Sequence, residues 1–132
     1  AGYTERFVAA QSRRELKPVV EQLFADANLV TRQMLDELLK YKRFDGVTEL
    51  LAELGGSLFG NGRQSELPGQ RLGETGKPVL VVWGREDRII PAQHAGNAPR
   101  GASVQVIEGG GHMVQMEKAA EVNSLLKKHI AG

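Results

Sequence analysis

The chain has 132 residues, a net charge of +1 from 17 basic and 16 acidic side chains, and no cysteine. Its length is typical of one domain, and its near-neutral charge leaves no electrostatic footprint for nucleic acid or an anionic membrane. The absence of cysteine excludes disulfides, thiolate nucleophiles and thiolate metal sites. With no signal peptide and no apolar run of about 18 residues, we expect a cytoplasmic protein without membrane or nucleic-acid partners.

Residues 1–60 are predicted to be helical. Ser12 and Glu15 have the spacing of a capping box, which predicts a helix from Arg13, although Pro18 could delay its first turn. Three apolar stripes follow helical spacing, and each predicts a packed face: Leu16, Val19, Val20, Leu23 and Phe24; Val30, Met34, Leu35, Leu38 and Leu39; Val47, Leu50, Leu51, Leu54 and Leu58. The basic cluster between the second and third stripes, at residues 40–43, is expected to lie on a solvated face.

Residues 61–77 are predicted to be a linker with at most a short helical turn, because glycines occur throughout them and apolar periodicity is weak.

Residues 78–132 have the pattern strand, helix, strand, helix. The continuous apolar run Val79–Trp83 is typical of a parallel strand buried on both faces, and Val104–Ile107 predicts a second strand. Pro91 can open a short crossover helix. The last helix is expected to turn five apolar residues inward: Ala119, Val122, Leu125, Leu126 and Ile130. The predicted fold class is α/β, with a parallel βαβ unit.

Asp87 and His112 are the candidate catalytic residues. Each follows its own predicted strand, and reactive groups in open α/β sheets collect beyond the carboxyl ends of the strands. If the strands are neighbours, the Asp87 carboxylate can accept a hydrogen bond from one imidazole nitrogen and leave the other free to take a proton. Such a base accelerates a reaction by about 10²–10⁴-fold when a group to deprotonate is present.

Other interpretations of these loops stay open. Asp87 and His112 could each be a plain loop residue, and Glu86 is a neighbouring acid that could orient His112 instead. The three histidines, which include His94 and His129, lack the spacing of a zinc site, so no metal site is predicted. The glycines at residues 109–111 could cradle a phosphate, but no P-loop Lys-Ser/Thr follows, and a turn that lets the histidine reach the cleft is simpler.

The stretches Gly84–Pro91 and Gly109–His112, each after a strand, resemble the C-terminal end of the α/β-hydrolase family. In that family these positions hold the acid and the histidine of the catalytic triad, after a nucleophile earlier in the chain. The resemblance implies these roles for Asp87 and His112. It also implies a partial α/β-hydrolase fold, with a helical cap-like segment over residues 1–60, a linker over 61–77 and the last two parallel strands with their helices over 78–132.

Three further stretches resemble one subgroup of the family, the dihydrolipoyllysine-residue acetyltransferase component of the acetoin dehydrogenase complex. They are Phe7–Pro18, Leu39–Arg43 and Gly111–Glu117. This resemblance implies acetyl transfer from dihydrolipoamide to coenzyme A in acetoin cleavage, with other subunits of the complex as partners. Lipoamide and coenzyme A are implied for the parent protein, whereas no cofactor is expected on this chain alone. Arg85 and Arg88 could attract the phosphates of coenzyme A.

The nucleophile elbow of the family, Gly-x-Ser-x-Gly, has no match in the chain. Gly55–Phe59 comes nearest, but Phe59 replaces the final glycine and the segment has helical periodicity. The chain is therefore expected to be a C-terminal fragment of an acyltransferase that is inactive alone. Two alternatives are a fragment of a hydrolase acting on ester or C–C bonds and a non-catalytic assembly module. The strand at Val79–Trp83 would lack a neighbour on one edge, which predicts self-association.

Overall fold

The computed structural model describes residues 2–59 and 68–132, so residues 61–67 of the predicted linker lie outside the described residues. The elements in chain order are α1 (Tyr3–Ala9), α2 (Arg13–Val20), α3 (Arg32–Lys42), α4 (Val47–Phe59), β1 (Leu80–Gly84), β2 (Ser103–Ile107), α5 (Val114–Glu117) and α6 (Ala119–Ala131). Short 3-10 segments lie at Glu21–Leu23, Ala27–Leu29, Pro68–Thr75 and Ala92–Asn97. No helix over the described ranges has both the length and the apolar character needed to cross a membrane.

The chain divides into two compact units. Of the described residues, 2–21 and 28–59 belong to the helical unit, which contains α1 to α4. Residues 22–27 and 68–132 belong to the strand unit, which contains both strands, α5 and α6. A short piece of chain from the helical half of the sequence is therefore part of the strand unit.

Helix α2 begins where its capping box predicts. The Ser12 hydroxyl accepts the Glu15 N–H, and the Glu15 carboxylate accepts the Ser12 N–H in return. Pro18 does not delay the first turn, because the capping box fixes the start at Arg13 and the proline falls near the other end of the helix. The predicted apolar face of α2 is buried at Leu16, Val19 and Val20.

Lys42 at the end of α3 contradicts the expectation of a solvated basic cluster. Its side chain is buried, with the residue only 4% exposed, and its Nζ donates to the carbonyls of Phe7 and Val8 over 2.5 and 3.0 Å. The ammonium also lies 4.7 Å from the centroid of the Phe7 ring. The last carbonyls of a helix have no partner within it, and Lys42 supplies one to α1. Burial lowers the pKa of Lys42.

Helix α4 forms over the third apolar stripe, but the expectation that this stripe is packed holds only in part. Two of its residues are half-buried and three are exposed: Val47 and Leu51 are half-buried, and Leu50, Leu54 and Leu58 are exposed. Helix α4 approaches α1 at Gly55, one turn after Leu51, where an added Cβ would stand 3.2 Å from the Thr4 methyl. The glycine lets these two helices come close.

The two strands pair in parallel, in register from Leu80 opposite Ser103 to Gly84 opposite Ile107, and a 3-10 segment lies between them in sequence. Ile107, Val114 and Val122 form the core of the strand unit, with Val82 and Leu125 packed against it. Two expectations are wrong. Strand β1 is only half-buried, and α6 leaves Ala119, Leu126 and Ile130 exposed, because the sheet over the described residues has two strands and covers a narrow side of the helix.

Candidate catalytic site

The two strands deliver their following loops to the same edge of the sheet. Because β1 and β2 are parallel and in register, both end there, at Gly84 and Ile107. The loops are also joined directly: Arg85 donates its N–H to the Ile107 carbonyl and Glu86 to the Gly110 carbonyl, each over 2.9 Å. Gly84 allows this approach, since an added Cβ would overlap the carbonyl oxygens of the glycines at 110 and 111. The sequence positions after the two strands thus meet in space.

Asp87 is held by its own loop. Its Oδ1 accepts the N–H groups of Ile89 and Ile90 over 2.8 and 2.9 Å, as in an Asx turn. The indole Nε1–H of Trp83 donates to the Ile90 carbonyl over 3.0 Å and closes the loop from the strand side. With its side chain 4% exposed, Asp87 has one oxygen fixed by backbone donors and the other available for His112.

Asp87 and His112 form the hydrogen bond that the sequence predicted, with 2.9 Å between Oδ2 and Nδ1. Burial by itself raises the pKa of Asp87, but hydrogen bonds from the Ile90 N–H, from His112 and from the Ile89 N–H outweigh it and hold this pKa below its ordinary value. The carboxylate is therefore ionised near neutral pH and can only accept hydrogen bonds, so Nδ1 must carry the hydrogen. In the neutral ring Nε2 then keeps its lone pair, and the His112 side chain is 33% exposed.

The loop that carries His112 needs glycine for separate reasons. Gly109 has φ +69°, in the left-handed region that favours glycine. Gly111 lies so close to the 22–27 segment that an added Cβ would stand 2.5 Å from the Ala25 nitrogen. The Glu117 carboxylate accepts the Gly111 N–H over 2.6 Å. These contacts support the interpretation of the glycines as a turn that presents the histidine.

Most alternative interpretations of these loops are resolved. The Glu86 side chain is exposed, and the carboxylate bonded to His112 belongs to Asp87, so Glu86 is not the orienting acid. His94 is exposed on the 3-10 segment, and Arg85 pairs with Glu108, its Nε 2.9 Å from Oε1. No cluster of three or more potential metal ligands occurs in the described part of the chain.

Ser57, in the stretch closest to a nucleophile elbow, lies within α4 of the helical unit, and its hydroxyl donates to the Leu54 carbonyl over 3.3 Å. It is therefore an ordinary helical serine. Within residues 2–59 and 68–132, no serine hydroxyl is hydrogen-bonded to His112. Within the described residues the site therefore consists of a carboxylate and a histidine.

Sequence reasoning missed Trp83 and Glu117. In the sequence Trp83 is the last residue of an apolar run that predicts a strand. Its indole N–H, which usually finds an acceptor when the ring is buried, was the one signal of its contact with the Asp87 loop. Glu117 stands in the short helix after His112, but its partner Ala25 is 92 positions away. Nothing in a single sequence identifies that pairing.

A sequence model of one family, described as the alpha/beta hydrolase fold, matches residues 1–119. The chain belongs to the α/β-hydrolase fold family. The predicted fold class is thereby confirmed. This α/β-hydrolase chain is also 70% identical, over all of its 132 residues, to the dihydrolipoyllysine-residue acetyltransferase component of the acetoin cleaving system of Cupriavidus necator, and covers 35% of that protein. The predicted resemblance to that subgroup is confirmed as well.

Two further proteins are similar to this chain, one in sequence and one in fold. A 2-hydroxy-6-oxononadienedioate/2-hydroxy-6-oxononatrienedioate hydrolase of Pseudomonas putida is 32% identical over 119 residues, with 84% of this chain and 39% of the relative covered. The solved structure of a meta-cleavage product hydrolase from Pseudomonas fluorescens superposes with a TM-score of 0.77 at 19% identity, over 96% of this chain and 49% of that one. The α/β-hydrolase chain spans about a third of the length of the curated relatives that it matches.

Proposed function

We propose that Asp87 and His112 are the acid and base of an acyltransferase that moves an acetyl group from dihydrolipoamide to coenzyme A. The observation that carries the proposal is the 2.9 Å hydrogen bond that an ionised, buried carboxylate accepts from Nδ1 of a partly exposed histidine. The 70% identity to a relative named as an acetyltransferase component supports the choice of substrates. The nucleophile and the rest of the catalytic core belong, in this proposal, to a part of the same protein outside residues 1–132.

The reaction is an exchange of thiols on an acetyl group. In the first half, the nucleophile transfers its proton to Nε2 of His112 as it bonds to the thioester carbonyl carbon. The bond from that carbon to the lipoamide sulfur breaks, and the sulfur takes the proton from His112. In the second half, the coenzyme A thiol transfers its proton to Nε2 as its sulfur bonds to the acetyl carbon, and the bond from that carbon to the nucleophile breaks. The nucleophile takes the proton back, so the histidine ends as it began. Asp87 keeps the hydrogen on Nδ1 and stabilises the imidazolium in between.

The test is acetyl transfer from acetyl-dihydrolipoamide to coenzyme A, measured in the complete natural protein. His112→Ala should lower kcat by about 10²–10⁴-fold, the usual contribution of a positioned general base. His94→Ala is the matched control, because His94 is exposed in the same unit and should leave kcat unchanged. Transfer at the normal rate in His112→Ala would contradict the proposal.

A hydrolase acting on C–C or ester bonds is the second candidate, favoured by the 32% identity to the Pseudomonas putida hydrolase. The same pair would then serve a reaction that ends with water and needs no coenzyme A. Turnover of simple esters that exceeds acetyl transfer, and that alone disappears in His112→Ala, would establish this alternative. A protein that binds partner subunits and turns over neither substrate would instead be an assembly module.

We also propose that the chain associates with other subunits of a dehydrogenase complex in the cytoplasm and with a second copy of itself. Over the described residues β1 is hydrogen-bonded to β2 alone, which leaves its other edge open, and Leu54, Leu58 and Ile130 are exposed. Light scattering at increasing concentration should show association, and Leu58→Gln should weaken it more than Glu53→Gln on the same helix. A monomer at every concentration would contradict self-association.

A further inference from the structure

Glu117, at the end of α5, binds backbone with both oxygens of its carboxylate. Oε2 accepts the Gly111 N–H over 2.6 Å, and Oε1 accepts the N–H groups of Ala25 and Asp26 over 2.7 and 3.4 Å. A hydrogen bond to an ionised carboxylate is roughly twice as strong as one between neutral groups. Glu117 is therefore a firm link between the loop before His112 and the segment at residues 22–27.

These contacts fix the backbone on both sides of the histidine. Gly111 immediately precedes His112 and is bonded to Glu117. Met113 immediately follows His112 and donates its N–H to the Leu23 carbonyl over 3.0 Å. Both neighbours of His112 are thus tied to residues 22–27, one directly and one through Glu117.

We propose that Glu117 is a positioning residue that acts through His112. Asp87 fixes the orientation of the imidazole ring through Nδ1, whereas Glu117 fixes the backbone from which the side chain extends. The bond between His112 and Asp87 is 2.9 Å long, so a backbone shift of about 1 Å would take it beyond hydrogen-bonding range. The inference rests on the proposed role of His112 as the base, and Glu117 itself touches neither substrate nor the reacting atoms.

The kinetic test uses Glu117→Gln in the complete natural protein, with acetyl-dihydrolipoamide and coenzyme A as substrates. The amide keeps the shape of the side chain but turns an NH₂ group toward one of the backbone donors, so one of the two links is lost. We expect kcat to fall by up to about 100-fold with KM little changed, the effect of a misplaced catalytic group. Glu121→Gln on α6 is the control, because Glu121 is exposed, and should keep the normal kcat.

A double variant separates positioning from a general effect on folding. In a His112→Ala background Glu117→Gln should have no further effect on kcat, because its influence passes through the missing histidine. An equal loss of kcat with and without the histidine would overturn the proposal. So would a Glu117→Gln protein with the kcat of the Glu121→Gln control.

A spectroscopic test does not depend on activity. In protein labelled with ¹⁵N at histidine, the hydrogen-bonded Nδ1 proton of His112 should give an NMR signal that Glu117→Gln weakens through faster exchange with water. An unchanged signal would overturn the proposal even if His112→Ala shows that the proposed function is wrong. If Glu117→Gln does not fold, Glu117→Asp replaces it with the same expected and contrary results, since the shorter side chain cannot reach both segments.

Discussion

The loops after the two strands are held in different ways. The Asp87 loop is closed by short-range contacts, from the carboxylate to the N–H groups two and three positions on and from Trp83 to the Ile90 carbonyl. The His112 loop is held by distant groups, through Glu117 to Ala25 and through Met113 to Leu23. The Asp87 carboxylate is held by groups close to it in sequence, whereas the residues on both sides of His112 are held by a segment that is remote in sequence.

This difference matters for how the pair works. Backbone donors hold one oxygen of the Asp87 carboxylate, so the other oxygen can impose a tautomer on the ring. The backbone on both sides of His112 is tied to residues 22–27, directly or through Glu117. The acid is therefore the rigid partner, and the position of the histidine is the more vulnerable to substitution.

The largest effect on activity is expected from Asp87→Asn, which replaces the carboxylate that is bonded to His112. The amide presents NH₂ either to His112 or to the backbone donors of the loop, and the ring then loses the acceptor that holds hydrogen on Nδ1. We expect kcat for acetyl transfer to fall by about 10³–10⁴-fold, as is typical when a triad acid no longer fixes the tautomer. Asp45→Asn, at an exposed position before α4, should leave kcat unchanged. Comparable activity in the two variants would contradict the role of Asp87.

Gly84→Ala should disrupt both loops at once. The new methyl group would overlap the carbonyl oxygens of Gly110 and Gly111, which belong to backbone and cannot move aside alone. We expect the free energy of unfolding to fall by about 3 kcal/mol, at the upper end of ordinary overpacking. Gly56→Ala in α4 is the matched control: among the described residues, apart from its chain neighbours and the nearby backbone of α4 itself, no atom lies within 4 Å of the added Cβ, and the change should stabilise the protein by about 0.5–1 kcal/mol. Urea unfolding measures both, and similar values would contradict the close approach.

The free energy of unfolding should fall in acid because of Asp87. Its pKa is lowered in the folded protein from an ordinary value of 3.8, so the folded state binds the proton less readily than the unfolded chain. The contribution of ionised Asp87 to the free energy of unfolding is complete above the ordinary pKa, and it is lost as the pH falls through the lower pKa of the folded state. Urea unfolding from neutral pH down to about pH 2 should show this loss, and Asp87→Asn should flatten the acid part of the profile. An identical profile in both proteins would exclude Asp87 as the titrating group.

The smallest effect is expected from Trp83→Phe, which removes the indole donor to Ile90 and keeps most of the ring. A neutral hydrogen bond contributes about 1 kcal/mol to stability, so the free energy of unfolding should fall by roughly that amount. Because the two backbone bonds to Asp87 remain, kcat should change much less than in Asp87→Asn. A loss of activity as large as that of Asp87→Asn would show that the acid loop is less rigid than its short-range contacts indicate.

The sequence was sufficient to predict what depends on local pattern. Ser12 and Glu15 gave the start of α2, and the two apolar runs gave parallel strands that bring Asp87 and His112 to one edge. The burial of Lys42 could not be predicted, since its carbonyl partners lie on another helix. The exposure of Leu54 was equally hidden, because helical periodicity defines a stripe without saying what covers it. The contact of Glu117 with Ala25 could not be predicted either, because the two residues are remote in sequence.

The most direct test of the account is the tautomer of His112, measured by ¹⁵N NMR on the complete protein at a pH where the ring is neutral. The 2.9 Å bond from Nδ1 to an ionised Asp87 predicts hydrogen on Nδ1 and a bare Nε2, with loss of this preference in Asp87→Asn. A ring that carries its hydrogen on Nε2 while Asp87 is intact could not act as the base at that atom, and would contradict the assignment of the pair.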